Sequence, residues 1–320
     1  MCVVNNVSRR QFVLGSTAGL FATRLRGQSG KITAQDVVDR IKANVGLPWR
    51  TATVDGIKAG DPMADVTGVA TTAIATLPML RRAAGEKLNF IVTQEPVFYS
   101  ATDAPGNLAN DPVYLAKKKF IDDEKLVIFR FSDHWAARQP NLAADQLARN
   151  LGWKPPMPVV DQVYEIPERT LETIIPLSNL PGTRLVGDPK MKVRRVFVSP
   201  GTTTLPATMA ALQRADAVLA GEPREWEAVP YVLDSAVAGQ PKGMVIVGRV
   251  VSEDPGRGAC ADWVKSLFPE IPTAHLTTAD PYWNANERQR VSPRERRGDS
   301  GAPASERVGG SAGAQPPGQL

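Results

Sequence analysis

Lys242–Glu253, KGMVIVGRVVSE, is the stretch that most limits how this chain folds. Its apolar run Met244–Val247 is continuous rather than alternating, which suits a strand buried on both faces. Gly248 ends the run, and Arg249, Ser252 and Glu253 follow as a short polar exit. Leu88–Pro96, LNFIVTQEP, has the same design, with Thr93, Gln94, Glu95 and Pro96 at its end. Buried strands of this kind belong to sheets covered by helices, and such sheets deliver chemistry at the carboxyl ends of their strands. The expectation is that these two strand ends face each other across one cleft.

The rest of the chain supplies the helices. Thr33–Val45 is amphipathic, with Thr33 as cap, Asp36 in the first turn and Gly46 as the stop. Short strands are predicted at Thr53–Lys58 and Val66–Ala70, around the turn Gly60-Asp61-Pro62. Ile74–Ala84 is a helix despite Pro78, Leu88–Thr93 a buried strand, and Pro96–Ala109 a loop long enough to wall a site. Asp111–Glu124 is a helix with Pro112 at its start, and Leu126–Phe131 a third buried strand running into Ser132-Asp133-His134-Trp135. Leu142–Leu151 is a helix, and the proline-rich Lys154–Pro158 marks a lobe boundary. Beyond it, strands are predicted at Val163–Ile175, Lys192–Val198, Ala217–Ala220 and Thr273–Thr277. Helices are predicted at Ala207–Arg214, Trp226–Ala238 and Pro255–Phe268. Alternating strands and helices define an α/β fold of two similar lobes with mixed sheets, 32–153 and 154–284.

Charge narrows the partners. The net charge is +5, but residues 1–31 hold five Lys/Arg and no acid, and 285–320 hold six Arg against four acids. The body between them is left at −2, which gives no basic footprint for nucleic acid. After Asn284 the aromatics stop and Gly, Ser, Pro, Ala and Arg take over, the composition of a disordered tail. Only Cys260 lies in the body, so no internal disulfide forms there, and its apolar setting reads as a buried structural thiol.

Residues 1–31 read as an export leader. Ser8-Arg9-Arg10-Gln11-Phe12-Val13-Leu14 closely matches a twin-arginine motif, and the apolar run Phe12–Ala22 follows it. Eleven residues of helix span about 16 Å, too short for a bilayer core of about 30 Å. The expectation is a targeting segment without stable membrane insertion, and an extracytoplasmic or periplasmic protein.

Polar clusters fall at the strand ends: Thr93-Gln94-Glu95, Ser132-Asp133-His134, Gly221-Glu222-Pro223-Arg224-Glu225, and Gly248-Arg249 with Ser252-Glu253. Carboxylates from several strand ends make a divalent-metal or acid/base site; as solvated acids or helix N-terminal charges they do nothing of the kind. The chain has two histidines. His134, beside Trp135, reads first as structural, and His275 as packing within a strand. Transition-metal sites usually draw on several His or Cys, which this chain does not supply. There is no Gly-x-Ser-x-Gly and no Gly-rich phosphate loop.

In order and spacing, these motifs resemble the Nif three-like dinuclear metal-centre family, also called type-two GTP cyclohydrolase I-like. The family's first motif, a strand ending in Thr-His-His-Pro or Thr-His-Glu-Pro, corresponds to Thr93-Gln94-Glu95-Pro96. Its last, Gly-His with a Glu four residues after the His, corresponds to Gly248-Arg249 and Glu253. Gly221–Glu227 sits where the family has a Gly-acid motif, and Ser132–Ala136 where it has a His and a second ligand four residues on. The resemblance covers roughly Asp36 to Trp283 and implies a two-lobed fold, a divalent metal cofactor, a small-molecule ligand and a homo-oligomer. It assigns Glu95, Asp133 and Glu253 as the retained candidate metal ligands, with Gln94, His134, Glu222, Glu225 and Arg249 around the cleft. Gln94, Ser132, Ala136 and Arg249 stand where ligands are expected. The implied protein is a binding or pseudoenzyme form whose dinuclear site is largely lost. The alternatives are a metal-dependent hydrolase holding one ion on carboxylates, and a ring-forming structural assembly.

Overall fold

The structure, a computed structural model, describes residues 31–154, 162–175, 180, 182–278 and 280–282. The leader, apart from Lys31, and the 285–320 tail lie outside the described residues. Two five-stranded mixed sheets make two lobes. The first is built on a βαβαβ unit: β2 (Val69–Thr72), α2 (Leu77–Gly85), β3 (Phe90–Thr93), α3 (Pro112–Asp123) and β4 (Val127–Arg130). Its three strands are parallel neighbours, and β1 (Gly56–Ala59) closes the edge antiparallel to β4. The second lobe repeats the unit with β7 (Lys192–Thr203), α6 (Leu205–Leu212), β8 (Ala217–Pro223), α7 (Ala228–Val237) and β9 (Gly243–Ile246). Here β5 (Val163–Thr170) runs antiparallel beside β7, and β6 (Arg184–Val186) antiparallel beside β9. All residues of β2, β3, β4 and β9 are buried, as the unbroken apolar runs require.

Local chemistry sets most helix starts. Thr33 and Asp36 form a reciprocal capping box on α1 (Ala34–Asn44). Thr76-Leu77-Pro78 opens α2 and Thr204-Leu205-Pro206 opens α6, each with its threonine side chain as cap and its proline in the first turn. Pro78 therefore starts α2 rather than interrupting a helix begun at Ile74. Ser132–Trp135, read as a strand exit, enters a short helix, α4 (Asp133–Ala137). Asn141 caps α5 (Leu142–Asn150).

The sequence expectation differs most at α8, which runs Arg249–Leu267 with Pro255 inside it. Proline favours a first helical turn, so residue 255 looked like the start. Instead the helix begins on Gly248, whose φ of 95° only glycine adopts readily. The polar exit is thus the first turn and a half of a helix. Nineteen residues span about 28 Å, enough to run across both lobes. Cys260, Val264 and Phe268 join the core around α1 and the first sheet, while Val251 packs against the core of the second. At Gly256 the helix touches α5 so closely that a Cβ there would lie 2.6 Å from the Cβ of Ala143. After α8, β10 (Thr273–His275) pairs with β2 of the first sheet. The chain therefore returns to the first lobe, and the expected division into 32–153 and 154–284 is not clean. Among the described residues, no helix is long and apolar enough to cross a membrane.

Candidate functional site

The carboxyl ends of β3, β7 and β8 and the first turns of α8 meet around one guanidinium. Arg249 Nη2 donates to Glu95 Oε1 at 2.8 Å, which joins the two strand ends singled out in the sequence. Its Nη1 donates to Thr202 Oγ1 at 2.7 Å and to Glu222 Oε2 at 3.2 Å. Its Nε lies 3.9 Å from Glu253 Oε1, one helical turn on. Glu95 and Glu253 are buried, at 7% exposure each, while the Glu222 side chain is more than half exposed. Burial, then the charge of Glu95, pushes the Glu253 carboxyl up to about 8, against the pull of Arg249. The other Glu253 carboxylate oxygen, Oε2, is buried with no partner.

The fold holds this cluster by close approaches of glycine. A bulge in β7 between Ser199 and Thr202 presents Gly201 to α8. A Cβ on Gly201 would lie 2.4 Å from Glu253 Oε1, and one on Gly221 would lie 2.3 Å from Ser252 Oγ and 2.6 Å from the Gly201 carbonyl oxygen. Ser252 Oγ accepts the Gly201 N–H at 2.9 Å and donates to the Arg249 carbonyl at 2.7 Å. The Gly201 bond ties the first turn of α8 to β7, the close approach of Gly221 sets it on β8, and together they aim Arg249 at the opposite lobe.

Not every expected residue arrives. Asp133 turns its Oδ2 to Thr53 Oγ1 at 2.8 Å and the Val54 N–H at 3.1 Å. Burial works to raise the Asp133 carboxyl, but these bonds outweigh it and hold it below the usual range. His134 is wholly buried and structural rather than a cleft residue. Its Nε2 accepts the Arg50 N–H at 2.9 Å, so Nδ1 carries the proton and donates to Asp55 Oδ2 at 2.7 Å. Trp49 stacks on the ring at 3.8 Å. Glu225 does not bond Arg249 but pairs with Arg184 at 2.7 Å, and both line the cavity beside the Arg249 guanidinium. Gln94 Nε2 donates to Ser132 Oγ at 3.1 Å, so two of the positions that stand in for family ligands are bonded to each other. Among the described residues, no three of His, Cys, Asp and Glu are grouped so as to hold a metal ion. Sequence reasoning left out Thr202 and Gly201, although Ser199-Pro200-Gly201-Thr202 ends a strand in the same Gly-and-polar manner as the other clusters.

Beside Arg249 lies a cavity of about 400 Å³, within the range of small-molecule sites. Its walls include Ile74, Arg184, Glu222, Arg249, Val250 and Tyr282.

These features define a two-lobed α/β protein closed around a carboxylate-lined interlobe cleft. No protein-family model and no curated protein matches the chain. Solved structures match it in shape. Staphylococcus aureus hypothetical protein SA1388 superposes with a TM-score of 0.64 at 17% identity, over 80% of this chain and 100% of that one. A Bacillus cereus protein related to NIF3 gives 0.62 at 12% identity, over 80% and 100%. Reduced HcgD from Methanocaldococcus jannaschii gives 0.57 at 14% identity, over 78% and 99%. The chain has the NIF3-type fold that its motif order implied.

Proposed function

We propose that this chain is an exported NIF3-fold binding protein whose cleft works without the dinuclear metal centre implied by the resemblance. The Arg249–Glu95 bond carries the reading. A cation-binding site needs its carboxylate lone pairs free and no fixed positive charge among them. Here a guanidinium, which does not deprotonate in proteins, sits between Glu95 and Glu222 and bonds both. Gln94 and Ser132 satisfy one another, and Asp133 is committed to Thr53 and Val54. This donor set does not fit two metal ions. The ligand is a small molecule in the cavity beside Arg249, which offers apolar walls and a few polar groups to orient it.

Elemental analysis of the purified protein after incubation with Mn²⁺, Fe²⁺ and Zn²⁺ tests the cleft. Well under one tightly bound ion per chain is expected, and two per chain would overturn the reading. Export rests on Arg9-Arg10 and the apolar run after them. Fractionation of cells expressing the full chain is expected to find it outside the cytoplasm. Arg9→Lys with Arg10→Lys is expected to cut the exported fraction at least tenfold; unchanged export would refute the assignment.

A further inference from the structure

The loop after Glu95 is fastened by three charged side chains, its own Asp103 and, from elements beneath it, Arg130 and Lys117. Asp103 Oδ1 accepts the Val97 and Phe98 N–H groups at 2.5 and 3.1 Å. Arg130, on β4, donates through Nη1 to Asp103 Oδ2 at 3.1 Å and to the Ala101 carbonyl at 2.7 Å. Lys117, on α3, donates to the Val97 carbonyl at 2.5 Å and lies 5.0 Å from the centre of the Tyr99 ring. Tyr99 and Asp103 both hold a left-handed backbone, with φ of 62° and 63°, a strained conformation for residues other than glycine.

The charges beneath this loop do not balance. Asp103, Arg130 and Lys117 are each at least nine-tenths buried, which sets two cations against one carboxylate. Both Asp103 oxygens are committed, one to backbone amides and the other to Arg130. Lys117 is left with a carbonyl and an aromatic face. Of the two cations it is the one that can give up its proton.

We propose that residues 96–104 form a flap bordering Glu95 that opens by exposing the Lys117 ammonium to water, so that proton binding drives it open and loss of the proton shuts it. The Val97 carbonyl and the Tyr99 ring that contact the ammonium are both on the flap, so lifting it strips those contacts away. Burial pulls Lys117 down from its ordinary 10.5 to about 8, with Asp103 working the other way. The open form therefore holds the proton more tightly than the closed form. Below about pH 8 both forms are protonated and the flap is under load. Between about 8 and 10.5 the closed form gains up to about tenfold per pH unit. Of the other groups facing Lys117, Asp103 keeps its three side-chain bonds, two to the Val97 and Phe98 N–H groups and one to Arg130, and burial followed by the charge of Asp111 raises Tyr99 above its usual range.

Amide exchange of Val97 and Phe98 reads the opening, expressed as protection over the intrinsic rate and set against Ile91 and Val92 in β3 to remove global unfolding. In the unmodified protein, protection is expected to rise about tenfold per unit from pH 8 to 9.5. Lys117→Met keeps the stem without the charge; its flap is expected to be at least as protected at pH 7 and to lose the pH dependence. A flat or falling profile in the unmodified protein would overturn the proposal. So would a Lys117→Met flap less protected than the original, the result if the ammonium were a simple anchor. A rise that persists in Lys117→Met points to another group, Glu253 included, and also defeats it. If Lys117→Met does not fold, the profile of the unmodified protein decides alone.

Discussion

Arg249→Met is expected to lower unfolding free energy by about 2–3 kcal/mol, measured by chemical denaturation near neutral pH. The substitution keeps much of the stem and removes the charge that faces Glu95. Breaking a fully buried ion pair from one side costs about 3–5 kcal/mol, because the remaining charge stays desolvated. Arg249 is about one-third exposed, so water screens part of that cost. The Thr202 and Glu222 bonds are lost as well, but the Glu222 side chain is mostly exposed and its share is small. Because the penalty comes from stranding Glu95, the double variant Arg249→Met with Glu95→Gln should recover more than half of it. A single-variant loss below about 1 kcal/mol, or a double variant as unstable as the sum of the two singles, would show that the interlobe pair does not hold this cleft together.

Gly221→Ala is expected to cost about 3 kcal/mol or to prevent folding. Its added Cβ would lie 2.6 and 2.8 Å from the Gly201 carbonyl oxygen and nitrogen, as well as 2.3 Å from Ser252 Oγ. A side-chain oxygen can rotate away, whereas the backbone of Gly201 is held between the Ser199–Ala220 and Thr202–Glu222 pairs of the β7–β8 ladder. Overpacking of this kind costs about 1–3 kcal/mol, and more where backbone must move. Gly85→Ala is the control. It ends α2, nothing lies within 4 Å of its added Cβ, and the change should be neutral or stabilising by up to about 1 kcal/mol. If both variants unfold at the same denaturant midpoint as the unmodified chain, the packing of α8 on β7 and β8 is looser than the geometry implies.

Both predictions concern one contact, the docking of α8 across the two lobes. That contact also separates what could be read along the chain from what could not. The α/β class followed from uninterrupted apolar runs such as Phe90–Thr93 and Met244–Ile246, because only strands covered on both faces tolerate them. Thr33 with Asp36, and Thr76 ahead of Pro78, are short-range interactions between residues close in sequence, so helix starts were legible within a few positions. Glu95, Glu222, Arg249 and Glu253 were recognisable as candidates because strand ends carry the polar groups of such sheets.

What the tertiary structure alone decided was which of these candidates meet. Asp133 and His134 sit at an equally suitable strand end, yet Thr53, Val54, Arg50 and Asp55 claim their polar atoms from 79 to 84 residues away, and nothing in the local sequence announces those partners. Pro255 concealed six residues of helix because a proline's helix-starting preference is local, whereas packing of α8 against both sheets is not. The excess charge around Lys117 is likewise a property of three elements brought together. The sequence by itself determined two covered sheets with acids and an arginine at their edges. Only the folded chain placed that arginine against a glutamate of the other lobe, since such pairing depends on distance in space and not on separation along the chain.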